Sequence, residues 1–238
     1  MPAPLTYVVV VLVVLGTVLW VAELRWSRAT GAMRGRLAAG ARPPSVSVYH
    51  ERELDGLPDP VARYFRAVLK DGQRIITHAR VTWSGEFNMG RPGADKWAAF
   101  TAVQDFVPGA PGMVWDARIR MAPGVAVRVR DGFVDGAGSM LGAVLALATV
   151  VDKHGTPEMA RGSLQRCMAE AAWLPTALLP SQGVTWSPID ETRALATLRA
   201  GEVTASVEFR FGEDGLMTSM FVPDRLYDDG KSTPAHYP

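Results

Sequence analysis

The chain has 238 residues, carries 25 Lys and Arg against 24 Asp and Glu, and contains one cysteine. Its near-neutral balance gives no long-range basic field, which excludes nucleic acid as a partner. The lone Cys167 excludes an internal disulfide and a thiolate-built zinc site. The composition, rich in Ala, Arg, Gly and Val and poor in Lys, reads as bacterial.

Leu5 to Ala22 is an apolar run without a charged side chain that breaks off at Glu23 and Arg25. At about 1.5 Å per residue it is long enough to cross a hydrocarbon core as a helix. A cleaved signal peptide would need a basic start, a shorter apolar core and a small-residue cleavage site, none of which is well met. Residues 1–24 therefore read as a single-pass transmembrane anchor and residues 25–47 as a linker. Residues 48–238 read as one α+β domain. Arg25, Arg28, Arg34, Arg36 and Arg42 all follow the span, which favours the cytoplasmic side of a bacterial inner membrane.

Asp59 and Pro60 open a helix whose face is Val61, Tyr64, Phe65, Val68 and Leu69, and Lys70-Asp71-Gly72 stops it. From Ile76 the period changes to two. Ala79, Val81, Trp83, Gly85 and Phe87 point one way and Arg80, Thr82, Ser84 and Glu86 the other, predicting a half-buried strand. A second strand runs from Trp97 to Val107. In a third, Trp115, Ala117, Ile119 and Met121 alternate with Asp116, Arg118 and Arg120. In a fourth, Val125, Val127, Val129, Asp131 and Phe133 share a face opposite Arg128 and Arg130. Short Pro/Gly turns make these an antiparallel meander with one aromatic face and one wet, Arg-rich face.

Met140 to Val151 is apolar on all sides and reads with the helix starting at Thr156-Pro157 as a helical insert over about 140–180. It is expected to cover the aromatic face of a curved, mainly antiparallel, half-barrel-like sheet. After Pro180 strands return: Val184 to Trp186, Ala194 to Arg199, Val203 to Phe211 and, after a Gly212–Gly215 turn, Leu216 to Val222.

Chemistry-bearing patterns are scarce. His50, His78, His154 and His236 share no metal-ligand spacing, and no nucleophile elbow or phosphate loop occurs, so no catalytic residue, metal site or cofactor is assigned. Gly136-Ala137-Gly138 reads as a turn or bulge, and Cys167 as a packing residue. Glu170, one turn after Arg166, is either a surface pair with it or a carboxylate turned inward toward the sheet arginines.

Leu57-Pro-Asp-Pro-Val-Ala-Arg-Tyr-Phe65, Trp115-Asp-Ala-Arg118, Arg130-Asp131, Gly136-Ala-Gly138, Glu170-Ala-Ala-Trp-Leu-Pro-Thr-Ala-Leu-Leu-Pro180 and Val184-Thr-Trp186 resemble an uncharacterised family of bacterial proteins from about residue 57 onward. That resemblance implies no activity. Family members continue past a Thr-Pro/Tyr segment into further strands, whereas this sequence stops at Tyr237-Pro238. At the level of pattern, the sheet with a helical insert also resembles the lipoprotein-carrier half-barrel, which implies an apolar face that holds acyl chains. Such carriers work outside the cytoplasm, against the arginine rule, and the side of the membrane stays open.

The reading is membrane-anchored, non-catalytic binding of a lipid or other apolar ligand between sheet and insert, with Trp83, Phe100, Trp115, Arg118, Arg130, Glu170 and Trp173 as candidate ligand-binding residues. One alternative is a cell-envelope scaffold module whose core is filled by its own side chains. Another is a hydrolase-like enzyme using Glu170 with Arg118 or Arg130.

Overall fold

The computed structural model describes residues 4–90, 93–226 and 232–237. Its first element, α1 (Pro4–Ala39), is one unbroken helix. It is long and apolar enough to span a membrane. Residues 25–39, expected as linker, continue it. Ala22, Trp26, Thr30, Met33 and Leu37 recur every three or four residues and form one buried stripe. Thr and Met among many arginines disguised that stripe as a polar connector.

Six strands follow in an antiparallel meander: β1 (Ala79–Asn88), β2 (Trp97–Val107), β3 (Gly112–Ala122), β4 (Val125–Val134), β5 (Ala137–Val144) and β6 (Ala148–His154). The first four match the alternation in the sequence. The last two occupy Met140 to Val151, where helix was expected. What concealed the hairpin is its turn. Leu145 and Ala146 both adopt left-handed backbone, with φ of 53° and 58°. Tight turns of this kind are normally marked by Asn or Gly, not by Leu-Ala. The helical insert thus begins at α3 (Pro157–Glu170), where Thr156 Oγ1 accepts from the Met159 amide at 3.1 Å, and ends in short 3-10 turns through Gln182.

Opposite faces of this sheet are covered by different helices. The inner face, bearing Trp83, Phe100, Trp115, Val129 and Asp131, looks toward α3. The outer, Arg-rich face was expected to be wet but is partly covered by the second half of α1. Trp26 Nε1 donates to Asp116 Oδ1 at 2.8 Å, and the indole lies beneath two guanidiniums, Arg130 at 4.8 Å and Arg128 at 5.5 Å from its centroid. Arg128 also pairs with Glu23 and Asp116. Arg34 pairs at 2.8 Å with Asp105, a carboxylate only 3% exposed that Arg80 and His78 also approach. Met33 and Leu37 lie over Gly132 and Gly112, where a Cβ would come within 2.5 and 2.6 Å of their side chains.

Beyond α3 lies a second antiparallel sheet, in the order β11-β10-β9-β8-β7, of β7 (Val184–Pro188), β8 (Arg193–Ala200), β9 (Val203–Phe211), β10 (Met217–Leu226) and β11 (Ser232–Tyr237). The helix α2 (Asp59–Val68) packs against it through Tyr64 and Phe65, which meet Trp186 and Phe211 in an aromatic cluster. Asp59 makes no side-chain cap; the preceding Pro58 is the cap residue. This main core runs from Tyr49 through Phe133, Leu164 and Met168 to Phe209, all almost fully buried. The whole is α+β, with the two sheets clasping α3 and no closed barrel.

Candidate functional site

Between the inner face of β1–β6, the outward side of α3 and β10 is a cleft of about 700 Å3. Phe87, Trp115, Ile119, Val127, Val129 and Met140 line its sheet wall, Met220 and Val222 its β10 wall, and Ala169 and Trp173 its helical wall. These positions face one space because strand alternation sets every second residue of β3 and β4 inward. A helix laid across them closes only part of that face. Close approach of α3 is possible because Gly138 has no Cβ: one there would sit 2.4 Å from the Met159 carbonyl oxygen and 2.7 Å from Ser163 Oγ. Gly138 is thus a close-packing position, while Gly136, at φ 76°, makes the turn.

The floor of the cleft is charged. Asp131, at an inward position of β4, accepts from Arg166 Nη1 at 2.5 Å, and Arg166 Nε donates to Glu170 Oε1 at 2.8 Å. Glu170 Oε2 in turn accepts from Gln104 Nε2 at 2.5 Å, and Gln104 Oε1 accepts from Trp83 Nε1 at 3.1 Å. The Arg166 guanidinium also lies 5.0 Å from the Trp115 ring centroid. Burial disfavours the Arg166 charge, but the charges and hydrogen bonds of Glu170 and Asp131 outweigh it and raise its pKa, so the guanidinium stays ionised. Two carboxylates against one guanidinium leave the floor with a net charge of −1. Asp131 Oδ1 is buried without a hydrogen-bond partner among the described residues.

Of the residues expected at a site, Trp115, Glu170 and Trp173 line the cleft. Trp83 stands behind them, edge-on to Trp173 at 4.7 Å, and Phe100 backs Trp115 at 6.3 Å. Arg118 and Arg130 are not brought there. Alternation turns both to the outer face, where Arg118 is exposed and Arg130 bonds Thr30 Oγ1 and stacks on Trp26. Glu170 meets each reading of its position only in part: it pairs with Arg166 one turn away but is largely buried rather than on the surface, and it points inward but the sheet separates it from Arg118 and Arg130. The constellation of Glu170 with either arginine is not assembled.

Asp131, Arg166 and Gln104 complete the floor and were not singled out as site residues. The signal was present for Asp131, an acidic side chain in the inward register of Val127, Val129 and Phe133. Met220 and Val222 carried none, because only tertiary packing brings β10 to the cleft. Cys167 is buried on α3 beside Phe106, Val107 and Leu198, away from the cleft. Burial first, then Glu170, pushes its thiol pKa well up, which keeps it an unreactive packing group. Among the described residues no three His, Cys, Asp or Glu side chains gather as metal ligands.

No curated protein and no solved structure matches the chain. One family model matches residues 47–238, which takes in both sheets, α2, α3 and the cleft, and leaves out α1. The chain belongs to that family, described as a family of unknown function, DUF6544.

Proposed function

We propose that this protein is a membrane-anchored, non-catalytic binder of a lipid or similar amphiphile, which occupies the cleft between β1–β6 and α3. The observation that carries the reading is the cleft itself. Its volume falls within the roughly 300–1,000 Å3 of small-ligand sites, and its walls are aromatic and aliphatic with a few convergent polar groups at one end. A scaffold with a core filled by its own side chains would have no use for that space. The net negative floor and the unmet acceptor on Asp131 suit a polar end that donates hydrogen bonds, with the apolar remainder along Val127, Val129 and Met220. The apolar half of α1 is the anchor, in a bacterial inner membrane, and the arginines that follow it favour a cytoplasmic domain.

The test is photocrosslinking of the full chain in cells with benzoylphenylalanine at Met220, on the cleft wall, or at Ile189, exposed elsewhere. The expected result is a lipid-mass adduct at 220 and none at 189. Equal yields, or no adduct at 220, would contradict the reading.

A further inference from the structure

Outside α1, ten large apolar side chains among the described residues are exposed, and six of them, Phe87, Met89, Trp97, Met121, Leu147 and Val150, lie at one end of the six-stranded sheet. That end carries the β1–β2, β3–β4 and β5–β6 hairpin turns. Its direction follows from how α1 is docked. Leu37 meets Gly112 at the start of β3, and Trp26 meets Asp116 four residues on, so the helix toward its N-terminus and β3 toward its C-terminus run the same way. From Asp116 to Met121 is about 17 Å of strand, equal to about eleven residues of helix. Met121 is therefore level with roughly residue 15 of α1, among the exposed side chains of residues 4–18 and about 10 Å inside the end of the apolar run.

Two further features mark the same end. The β5–β6 turn places Leu145 and Ala146 in left-handed backbone, where Asn or Gly is the easy choice in water. Arg25 and Arg28 on α1, with Arg118 on β3, are exposed behind the apolar tips, at the level where the apolar run of α1 ends. An apolar rim backed by a belt of arginines is the pattern of a surface that enters the boundary of an anionic bilayer.

We infer that the three hairpin tips dock into the membrane that anchors α1, with Trp97, Met121 and Leu147 inserted below the headgroups of its near leaflet. Phe87, Met89 and Val150 line the cleft as well as this rim, so its mouth opens onto the bilayer and the ligand enters from the lipid phase rather than through water. Because α1 is stapled to the sheet through Trp26, Arg34 and Leu37, anchor and rim are held at one fixed height. This inference rests on the anchoring reading of α1.

The experiment is nitroxide accessibility on the full chain in phosphatidylcholine–phosphatidylglycerol vesicles. Single labels are placed at Val11, Met121, Leu147 or Thr204 in a C167S background, comparing relaxation by oxygen and by a water-soluble nickel chelate. Thr204 stands near Gly155 and Glu202, at the opposite end from the tips. The expected pattern is lipid-like relaxation at 11, 121 and 147 and water-like relaxation at 204. Lipid-like behaviour at 11 with water-like behaviour at 121 and 147 would overturn the docking while leaving the anchor intact. Water-like behaviour at 11 would overturn both.

Discussion

Trp26→Ala tests whether the second half of α1 is part of the folded domain. The indole is 5% exposed, donates to Asp116 and carries guanidiniums on its ring. Truncating a fully buried Trp costs about 3–5 kcal/mol, and each cation–π contact adds about 0.5–1 kcal/mol. Asp116 keeps Arg128 as a partner, and the site collapses easily at a helix–sheet seam, so the low end applies. A loss of about 3 kcal/mol from the docking of residues 23–39 corresponds to roughly a hundredfold more frequent local opening. Hydrogen exchange of the full chain in detergent micelles reads this directly. Amides 26–39 are expected to exchange slowly in the parent and about a hundredfold faster in the variant, while β8 and β9 are unchanged. Equal, fast exchange of these amides in both proteins would refute the stapled arm.

Gly138→Ala forces a methyl against the Met159 carbonyl and should displace α3 at a cost of about 2–4 kcal/mol, read as a lower denaturation midpoint; unchanged stability would show that α3 is not seated on β5. Arg166→Met leaves Asp131 and Glu170 facing each other without their cation. Since these side chains are 13% and 18% exposed, the loss is expected at about 2–4 kcal/mol, and adding Asp131→Asn and Glu170→Gln should recover part of it. A pH titration of stability reads Tyr49, whose phenol is also raised by burial, together with Tyr64, whose phenol burial pushes up to about 12 from an ordinary 10.0. Its raised folded-state value means that stability is full below about pH 10 and falls by up to about 3 kcal/mol as pH rises to 12, because only the unfolded chain has released the proton. Tyr64→Phe should reduce that alkaline slope, leaving the part due to Tyr49, and an unchanged slope would assign it elsewhere.

What the sequence made legible was local. The inward set of β3 and β4 was readable because Pro/Gly turns frame a clean two-residue alternation, and α2 was readable from its apolar face. Alternation, however, says which residues share a face and not what covers it. Arg118 and Arg130 were correctly set opposite Trp115, yet nothing local revealed that α3 would take the aromatic side and α1 the arginine side, which separates those arginines from Glu170. The β5–β6 hairpin was hidden by a turn built from Leu145 and Ala146, residue types that give no turn signal. Residues 25–39 were misread because their buried stripe is made of only Trp26, Thr30, Met33 and Leu37, spaced among solvent-facing arginines. The cleft drew half its lining from the predicted sheet. Its other wall, Met220 and Val222, depended on long-range packing that no spacing rule encodes.

The most direct test of ligand binding is native mass spectrometry of the full chain released from detergent micelles, with lipid extraction of the same sample, beside an Ala169→Trp variant. Ala169 is half-buried on the cleft wall of α3, so an indole there fills the space without entering the core. The account predicts a stoichiometric bound amphiphile on the parent protein that is lost in the variant. A clean protein mass for both, unchanged when lipids are added, or a bound species that persists in the variant, would contradict it.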